Sequence, residues 1–254
     1  MKDRYAVEAS FYDLIYDYAD DIPFYLEYAS KSRGPILECA CGTGRLLLPL
    51  ARAGHDVLGL DSSNEMLKVL RAKLRKEALV TRKRVELVRG DMRSFSLPSR
   101  FAMALVAFAS FLHNVTVQDQ ESCVRCIAKH LVPDGLFIVD AFNPDLTRPQ
   151  QLLRLDKVKE FGTQIVLRST AQEMDFKTQT MNCTNIYDFV APTGAIRRKV
   201  VNYRLSYILK EQLVGLLERT GYRIEAVYGN VNREPFCEKS PRIVCVARKQ
   251  EPSH

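Results

Sequence analysis

The sequence predicts an α/β protein in which a doubly wound, mostly parallel sheet carries helices on both faces. From residue 35 to about residue 145, short apolar strand patterns alternate with helical patterns, and this alternation is typical of parallel sheets. The strand pattern over residues 101–108 is apolar almost throughout, as in a strand buried on both faces. A glycine-rich turn joins the first strand to the first helix. Together these observations predict a Rossmann-like, seven-stranded sheet.

The composition is that of an ordinary globular protein and limits the possible classes. The chain has 254 residues, of which 46% are hydrophobic and 26% charged, and this excludes disordered, collagen-like and coiled-coil proteins. The length predicts one domain over residues 1–254. No apolar run approaches the ~18 residues of a membrane span, and the N-terminus has no apolar signal segment. We therefore expect a cytoplasmic protein with no membrane partner.

The seven cysteines and four histidines do not form a metal-binding pattern. Cys39 and Cys41 are closely spaced, and so are Cys123 and Cys126, but zinc sites usually need a second matching pair of Cys or His ligands. The sequence therefore predicts no metal site, and it predicts free thiols in a reducing compartment.

The first five strands and the helices between them form the predicted core. Strands are expected at residues 35–39, 55–60, 85–88, 101–108 and 136–140, and helices at 46–51 and 118–131. The first helix is expected to have Thr43 as its N-cap and a kink at Pro49. A further helix is expected to begin after a capping serine, Ser62 or Ser63.

The pattern changes after the fifth strand. Residues 158–208 contain alternating polar and apolar runs without a convincing helix, and the Pro-Thr-Gly sequence at 192–194 is typical of a hairpin turn. A helix at 210–220 and strands near 223–228 and 242–247 follow. The predicted organisation is an N-terminal helical cap over residues 1–32, a Rossmann-like core over 33–145 and 209–249, and an antiparallel insertion over 158–208 above the active site.

The turn after the first strand carries the chemistry. Glycines at Gly42 and Gly44 permit a tight turn and a close approach of a ligand to the backbone, and exposed N–H groups at a helix start favour an anionic group. Asp61 ends the second strand, where a carboxylate can accept hydrogen bonds from two ribose hydroxyls. These residues predict an adenosine-like ligand across the carboxyl ends of the first two strands.

Two details of this turn argue against a nicotinamide or flavin dinucleotide. Such sites need a third glycine, but Leu47 occupies that position. In addition, Glu38 lies at the end of the strand, where it would face a pyrophosphate. The pattern therefore favours a ligand with a positive or zwitterionic end.

The segment Ile36–Gly44 resembles the glycine motif of the class I S-adenosyl-L-methionine (SAM)-dependent methyltransferases. The resemblance continues at Asp61, at Gly90-Asp91-Met92 and over residues 131–136. Among subgroups it is closest to small-molecule N- and O-methyltransferases, including those that act on amino sugars. It implies SAM as cofactor, S-adenosylhomocysteine as product, and a small-molecule acceptor methylated on a nitrogen or an oxygen atom.

The resemblance also implies a role for each matching position. Those expected to hold the methionine part are Glu38 and the backbone around Ala40, Gly42 and Gly44. Asp61 is expected to bind the ribose. Those expected around the adenine are Ser62, Met66, Asp91 and Met92. The segment from Phe108 to His113 is expected to line the methyl-transfer site. Ala40 departs from the family pattern, because many members have glycine there.

Methyl transfer is a direct displacement at a carbon bound to a cationic sulfur, and this chemistry requires no metal. Alignment of nucleophile, methyl carbon and sulfur supplies most of the acceleration, and a base that takes the acceptor's proton adds to it. His113 follows the fourth strand and is the candidate base; a structural hydrogen bond is its alternative role. Tyr16 is a second candidate. Together with Tyr12 on the same predicted helix, it either packs on the sheet or covers the cofactor.

Two other functions stay open at this point. The net charge of +7, with basic residues concentrated between 68 and 84, would suit an RNA methyltransferase. However, a solvated helix face explains most of that charge, and residues 109–112 lack the Asn/Asp-Pro-Pro-aromatic motif of base amino-methylating enzymes. The other alternative is a regulatory protein that binds SAM without catalysis. The sequence indicates neither the acceptor nor an oligomeric state.

Overall fold

The computed structural model describes residues 4–147 and 150–250. The α-helices are α1 (Tyr12–Ile15), α2 (Ile22–Lys31), α3 (Leu47–Arg52), α4 (Asn64–Leu74), α5 (Leu79–Arg82), α6 (Val117–His130) and α7 (Lys210–Arg219). The strands are β1 (Ile36–Cys39), β2 (Val57–Asp61), β3 (Val85–Arg89), β4 (Phe101–Val106), β5 (Leu131–Phe142), β6 (Gln150–Phe161), β7 (Gln164–Asp175), β8 (Thr180–Val190), β9 (Ile196–Ser206), β10 (Tyr222–Tyr228) and β11 (Arg242–Lys249). Short 3₁₀ helices cover Arg4–Ala6, Ala9–Phe11 and Ser110–His113.

The main sheet has seven strands in the order β10-β11-β5-β4-β1-β2-β3. β11 runs antiparallel to β5 and to β10, while the pairs among β1 to β5 are parallel. The predicted doubly wound, mostly parallel sheet is therefore confirmed. Because parallel strands end at the same edge, the segments that follow β1, β2, β3 and β4 converge there.

Helices pack on both faces of this sheet, as predicted. On one face, Val124 of α6 and Leu213 of α7 are fully buried in one apolar cluster. On the other face, Leu47 of α3 and Leu67 of α4 are fully buried in a second cluster. Burial of each such side chain stabilises the fold by about 1.5–3 kcal/mol. This packing covers the faces of the sheet and leaves the carboxyl edge of the parallel strands for a site.

A second sheet contains β6, β7, β8 and β9 in that order, and all its pairs are antiparallel. This second sheet packs against the N-terminal segment, which we define as residues 4–32. There the Phe11 ring lies 4.9 Å from the Tyr187 ring, and Ile15 is fully buried. The sheet begins at Gln150, earlier than the residue 158 that the sequence predicts. Two irregularities in the β6–β7 register, between Gln151 and Arg154 and between Leu155 and Lys157, break the alternation that identifies a strand in the sequence.

The start of α3 differs from the prediction. Its N-cap is Leu46, and the Thr43 hydroxyl instead donates to Asp13 Oδ1 at 2.5 Å. Pro49 therefore lies in the first turn of the helix, where backbone N–H groups have no intrahelical partner, and no kink is needed. The predicted cap of the next helix is confirmed, because Ser63 Oγ accepts a hydrogen bond from the Met66 N–H at 3.2 Å.

All seven cysteines are free thiols, and Cys237 is the exposed one. In residues 4–147 and 150–250, no helix is long and apolar enough to cross a membrane. Within the same ranges, no group of three or more His, Cys, Asp or Glu side chains could hold a metal ion.

Candidate active site

The turn after β1 has an unusual backbone. Ala40, Gly42 and Gly44 have φ angles of 57°, 55° and 83°, which lie in the left-handed region that favours glycine. A Cβ on Gly44 would lie 2.3 Å from Leu70 Cδ1, whereas a Cβ on Gly42 would meet nothing within 4 Å. Gly44 is thus needed for packing, and Gly42 leaves open space for a ligand. Ala40 adopts its conformation at a cost of about 1–2 kcal/mol.

Asp61 holds this turn in place. Its Oδ2 accepts the N–H of Gly42 at 2.8 Å, and its Oδ1 accepts the N–H of Ser63 at 2.8 Å. The side chain is largely buried between β1 and the start of α4. A carboxylate offers about four lone-pair positions, so one side chain can bind the glycine turn and the start of α4 together.

Glu38 is buried beneath the turn without a full set of partners. The residue is 4% exposed, and its Oε2 has no hydrogen-bond partner. Burial raises the pKa of Glu38 to about 8; Arg45 opposes this rise, while Asp21 and Asp61 add to it. A buried polar atom without a partner is costly, so this site favours a bound donor.

Arg45 joins the turn to the N-terminal segment. Its two terminal nitrogens donate to the two carboxylate oxygens of Asp21 at 2.5 and 2.7 Å, and it also donates to the Tyr18 carbonyl at 3.0 Å. On the other side of the turn, Asp13 accepts hydrogen bonds from Thr43 and from Lys73. The N-terminal segment is therefore fixed directly to the glycine turn.

A cavity of about 660 Å³ opens at the carboxyl edge of the main sheet. Of the residues that the sequence singles out, those that line it are Tyr12, Ala40, Gly42, Asp61, Ser62, Met66, Asp91, Met92 and His113. The remaining ones, Glu38, Gly44, Phe108 and Tyr16, do not line it. The cavity therefore brings together the ends of β1, β2 and β3, the segment after β4, and the N-terminal segment.

Ion pairs that involve the segment after β3 line the cavity. Arg93 donates to Asp91 Oδ2 at 2.6 Å and to Asp119 Oδ1 at 2.7 Å. The hydrogen bonds from Arg93 lower the pKa of Asp91, so its carboxylate stays ionised and able to accept. Beside it, the Asn114 amide donates to the Met92 sulfur at 3.4 Å. These contacts fix the acidic and the apolar groups predicted for the adenine.

His113 lies at the end of the 3₁₀ helix after β4. Its Nε2 lies 2.7 Å from the hydroxyl of Tyr5, which also lines the cavity. Phe108 begins this segment, and its ring lies 4.6 Å from the guanidinium of Arg45 and 6.1 Å from the Tyr18 ring. The N-terminal segment thus contacts both ends of the segment expected to line the methyl-transfer site.

Tyr16 lies behind Tyr12 and away from the cavity. The two rings stack with centroids 4.4 Å apart. The Tyr16 hydroxyl lies 3.4 Å from the Tyr187 hydroxyl and accepts a hydrogen bond from Asn185 at 3.3 Å. Burial raises the pKa of Tyr16, and Glu8 adds to the rise. Tyr16 therefore stays a neutral phenol within a packed network.

Sequence reasoning does not single out several lining residues of the cavity, among them Tyr5, Asn114 and Asp119. It also does not select Arg204 from the other arginines that could meet an acidic acceptor. Asp140 lies near the end of β5, at the same edge as Asp61, and binds the turn after β4. The strand-end rule could have found it. Tyr5 and Arg204 reach the cavity only through the packing of the N-terminal segment and the insertion on the core. No local pattern in the sequence signals those contacts.

A second cavity of about 490 Å³ adjoins the first, because Val115 and Arg204 line both. It lies between the β8–β9 sheet, the start of α6 and α7. Its polar lining residues include Gln120, Thr178, Gln179, Thr180, Ser206, Gln212 and Arg219. Among the described residues, no carboxylate lines it.

Comparison with known proteins gives consistent matches over the whole fold. Residues 36–135 match the family model of a methyltransferase domain. The dTDP-3-amino-3,6-dideoxy-alpha-D-glucopyranose N,N-dimethyltransferase of Streptomyces fradiae is 26% identical over 233 residues, which cover 87% of this chain and 86% of the relative. The cypemycin N-terminal methyltransferase of a Streptomyces species is 29% identical over 254 residues, 98% of this chain and 97% of the relative. The solved structure of the CcbJ methyltransferase from Streptomyces caelestis matches with a TM-score of 0.80 at 25% identity and covers 96% of both chains.

Proposed function

Because this chain belongs to the SAM-dependent methyltransferases, we propose that it methylates an amine nitrogen of a small-molecule acceptor, with amino sugars as the first acceptor class to test. The Streptomyces fradiae relative is named for N,N-dimethylation of an amino sugar. The cypemycin enzyme is named for methylation at an N-terminus. The two relatives therefore share an amine nitrogen as the methylated atom.

The residues around the glycine turn fit the cofactor. The observation that carries this fit is the cavity that Gly42, Asp61 and Asp91 line together. Beneath the same turn, the Oε2 of the buried Glu38 has no partner. The cofactor supplies a methyl group on a cationic sulfonium. In this arrangement Glu38 would face its positively charged amino-acid end, Asp61 the ribose, and Asp91 and Met92 the adenine.

The protein's own contribution to the reaction is alignment and proton removal. Placing the acceptor nitrogen in line with the methyl carbon contributes up to about 7–11 kcal/mol. When SAM is bound, the acceptor nitrogen would take the methyl group from the sulfonium, and the His113 imidazole would accept the proton that the nitrogen loses. Tyr5, at 2.7 Å from His113 Nε2, orients the ring. Tyr16 remains a phenol and supports the wall behind Tyr12.

The anionic part of an acceptor would lie towards Arg204. The Arg204 guanidinium donates to the hydroxyls of Thr178 and Thr180 at 3.1 and 2.7 Å. The side-chain hydrogen bond from Thr178 lowers the pKa of Asp175, and the positive charge of Arg204 adds to this effect. A guanidinium binds phosphate through charge-assisted hydrogen bonds. The Streptomyces fradiae relative is named for a dTDP-linked sugar, and such an acceptor carries a diphosphate.

The decisive experiment measures S-adenosylhomocysteine formation over a panel of acceptors. The panel contains a dTDP-linked amino sugar, the free amino sugar, an amino-terminal peptide and a phenol. We expect turnover of amines, with a lower KM for the phosphate-bearing sugar. If SAM binds but no amine is methylated, N-methylation is wrong and the regulatory alternative gains support. Turnover of the phenol alone would indicate O-methylation.

His113 is tested in the same assay. The substitution His113→Gln keeps a polar side chain but removes the base, so we expect kcat to fall by about 10²–10⁴. His55→Gln is the matched control, because His55 precedes β2 at the opposite edge of the sheet. An unchanged kcat and pH profile in His113→Gln would leave His113 with a structural role.

Two further expectations remain proposals. We propose a cytoplasmic location, which is supported by the free state of all seven cysteines. The division into a cap over residues 1–32, a core over 33–145 and 209–249, and an insertion over 158–208 is supported by the separate sheet that β6 to β9 form.

A further inference from the structure

The turn between β4 and the 3₁₀ helix has a strained backbone. Phe108 and Ala109 have φ angles of 56° and 57°. Two consecutive non-glycine residues in the left-handed region are costly, and such a conformation persists only where the surroundings enforce it. This turn leads directly into Ser110–His113, so its conformation sets where the helix begins and in which direction it runs.

The side chain of Asp140 enforces this conformation. Its Oδ2 accepts the N–H of Phe108 at 3.0 Å, and its Oδ1 accepts the N–H of Ala109 at 2.7 Å. Both oxygens of one carboxylate therefore bind the two strained residues. Asp140 is on β5, which is paired in register with β4, so the acceptor itself sits on a rigid element.

Two further donors balance the charge of this carboxylate. Asp140 is fully buried. Arg242 of β11 donates to its Oδ1 at 2.6 Å, and the Tyr25 hydroxyl of α2 donates to its Oδ2 at 2.9 Å. Burial raises the pKa of Tyr25, and the charge of Asp140 adds to the rise, so the phenol remains a donor. Four hydrogen bonds from three regions of the chain thus converge on one side chain.

We propose that Asp140 is a positioning residue for methyl transfer: it holds the turn at Phe108 and Ala109 so that the 3₁₀ helix presents Ser110 and His113 to the cavity. Both residues line the cavity, and neither touches Asp140 in the contacts above. The proposal rests on the proposed function for its kinetic readout. Its structural part, the placement of the His113 ring, is measurable without turnover.

The test begins with Asp140→Asn, which keeps the shape of the side chain but turns one acceptor into an amide donor. One of the two backbone N–H groups then loses its partner. A displacement of about 1 Å can cost about 100-fold in rate, so we expect kcat to fall about 10–100-fold while the Kd for SAM changes less than about threefold. The nuclear magnetic resonance signal of the His113 ring should shift and broaden.

A suppressor separates positioning from general destabilisation. Ala109→Gly in the Asp140→Asn background removes the cost of the left-handed backbone, so we expect it to recover a substantial part of kcat and a single His113 signal. Ala107→Gly is the matched control, because Ala107 is the neighbouring alanine outside the left-handed region. It should recover neither.

Three outcomes would overturn the proposal. They are an unchanged kcat and His113 signal in Asp140→Asn, a loss of SAM binding that parallels the loss of kcat, and equal recovery by Ala107→Gly. If Asp140→Asn does not fold, Tyr25→Phe removes one donor from the same carboxylate and should give a smaller shift in the same signal. If the unmodified chain methylates no amine, the proposed function fails, and the His113 signal still decides the positioning role.

Discussion

At the glycine turn, the Asp61 carboxylate both stabilises the local backbone and lines the candidate site. Asp61 binds the N–H groups of Gly42 and Ser63 and also lines the cavity. Under the proposed function, the loss of Asp61 would loosen the turn expected to receive the cofactor and remove an acceptor expected to bind it. Both effects weaken cofactor binding before they affect the chemical step.

We expect Asp61→Asn to raise the Kd for SAM about 10–100-fold, because hydrogen bonds to a charged group are worth about 1.5–3 kcal/mol. Isothermal calorimetry measures this directly. Asp56→Asn is the matched control: Asp56 lies just before the same strand, and its side chain is 69% exposed. Equal affinity in Asp61→Asn and the unmodified chain would contradict the role of Asp61.

Glu38 makes the stability of the fold depend on pH. Its ordinary pKa is about 4.5, and burial raises the pKa in the folded chain to about 8. Between these values the unfolded chain has released the proton while the folded chain keeps it, so the free energy of unfolding falls as pH rises through this window. Glu38→Gln should flatten that decline in urea unfolding at about pH 5, 6.5 and 8. Glu86→Gln, at an exposed position on β3, should leave it unchanged.

The individual residues also show what the sequence can and cannot predict. The positions of Gly42 and Asp61 in the cavity are predictable from the sequence, because both follow or end parallel strands. Parallel strands bring these ends to the same edge of the sheet, independently of the loop conformations. The contact between Tyr5 and His113 joins residues 108 positions apart and depends on how the N-terminal segment packs. The strained turn at Phe108 and Ala109 contains no glycine, so the sequence gives no sign of it.

At the scale of elements, the Arg45–Asp21 pair joins the residue before α2 to the glycine turn. The Asp21 side chain is fully buried and the Arg45 side chain 16% exposed, so solvent screens this pair little. Removing one partner of such a pair leaves a buried charge without compensation. The stability of the turn therefore depends on the attachment of the N-terminal segment.

We expect Asp21→Asn to lower the free energy of unfolding by about 3–5 kcal/mol, as measured by urea denaturation. Glu77→Gln is the comparison, since it breaks the pair with Arg52, whose side chain is 55% exposed, and exposed pairs contribute about 0–1 kcal/mol. Similar losses in the two variants would mean that the Asp21 pair behaves as a surface pair.

The boundaries of elements were predicted less well than their order. Strands and helices of the core follow the predicted alternation. Burial on both faces requires apolar residues almost throughout β1, β2 and β4, and this pattern is easy to recognise in the sequence. The predicted start of β6 is too late, because register shifts interrupt its alternation. The predicted N-cap of α3 is too early in the chain, because Thr43 has the residue type of a cap but donates its hydroxyl hydrogen bond to Asp13.

At the scale of the whole molecule, the first third of the chain contacts the last third. Glu8 accepts a hydrogen bond from Tyr187, and Phe11 packs between Tyr187 and Phe189. The same N-terminal segment reaches Thr43 and His113. One segment therefore contacts the insertion, the glycine turn and the 3₁₀ helix after β4.

The net charge of +7 leads to the last prediction, which concerns RNA. Within the basic region at 68–84, Lys68, Lys73 and Arg84 are paired with carboxylates at 2.6, 2.9 and 2.9 Å. This pairing reduces the positive field that a polyanion would need. At physiological salt we expect tRNA to bind no more tightly than about 10⁻⁴–10⁻⁶ M, the range of non-specific binding, and to yield no S-adenosylhomocysteine.

A gel shift at several salt concentrations, with the product assay in parallel, checks this expectation. Weak binding that is lost at higher salt would come from the solvent-exposed basic residues of that region. Such binding would not require a specific RNA-binding site. Binding that is tight at physiological salt and accompanied by methylation of the RNA would contradict the prediction. It would move the acceptor class from small molecules to nucleic acid, because the cavity would then have to admit a base rather than an amine.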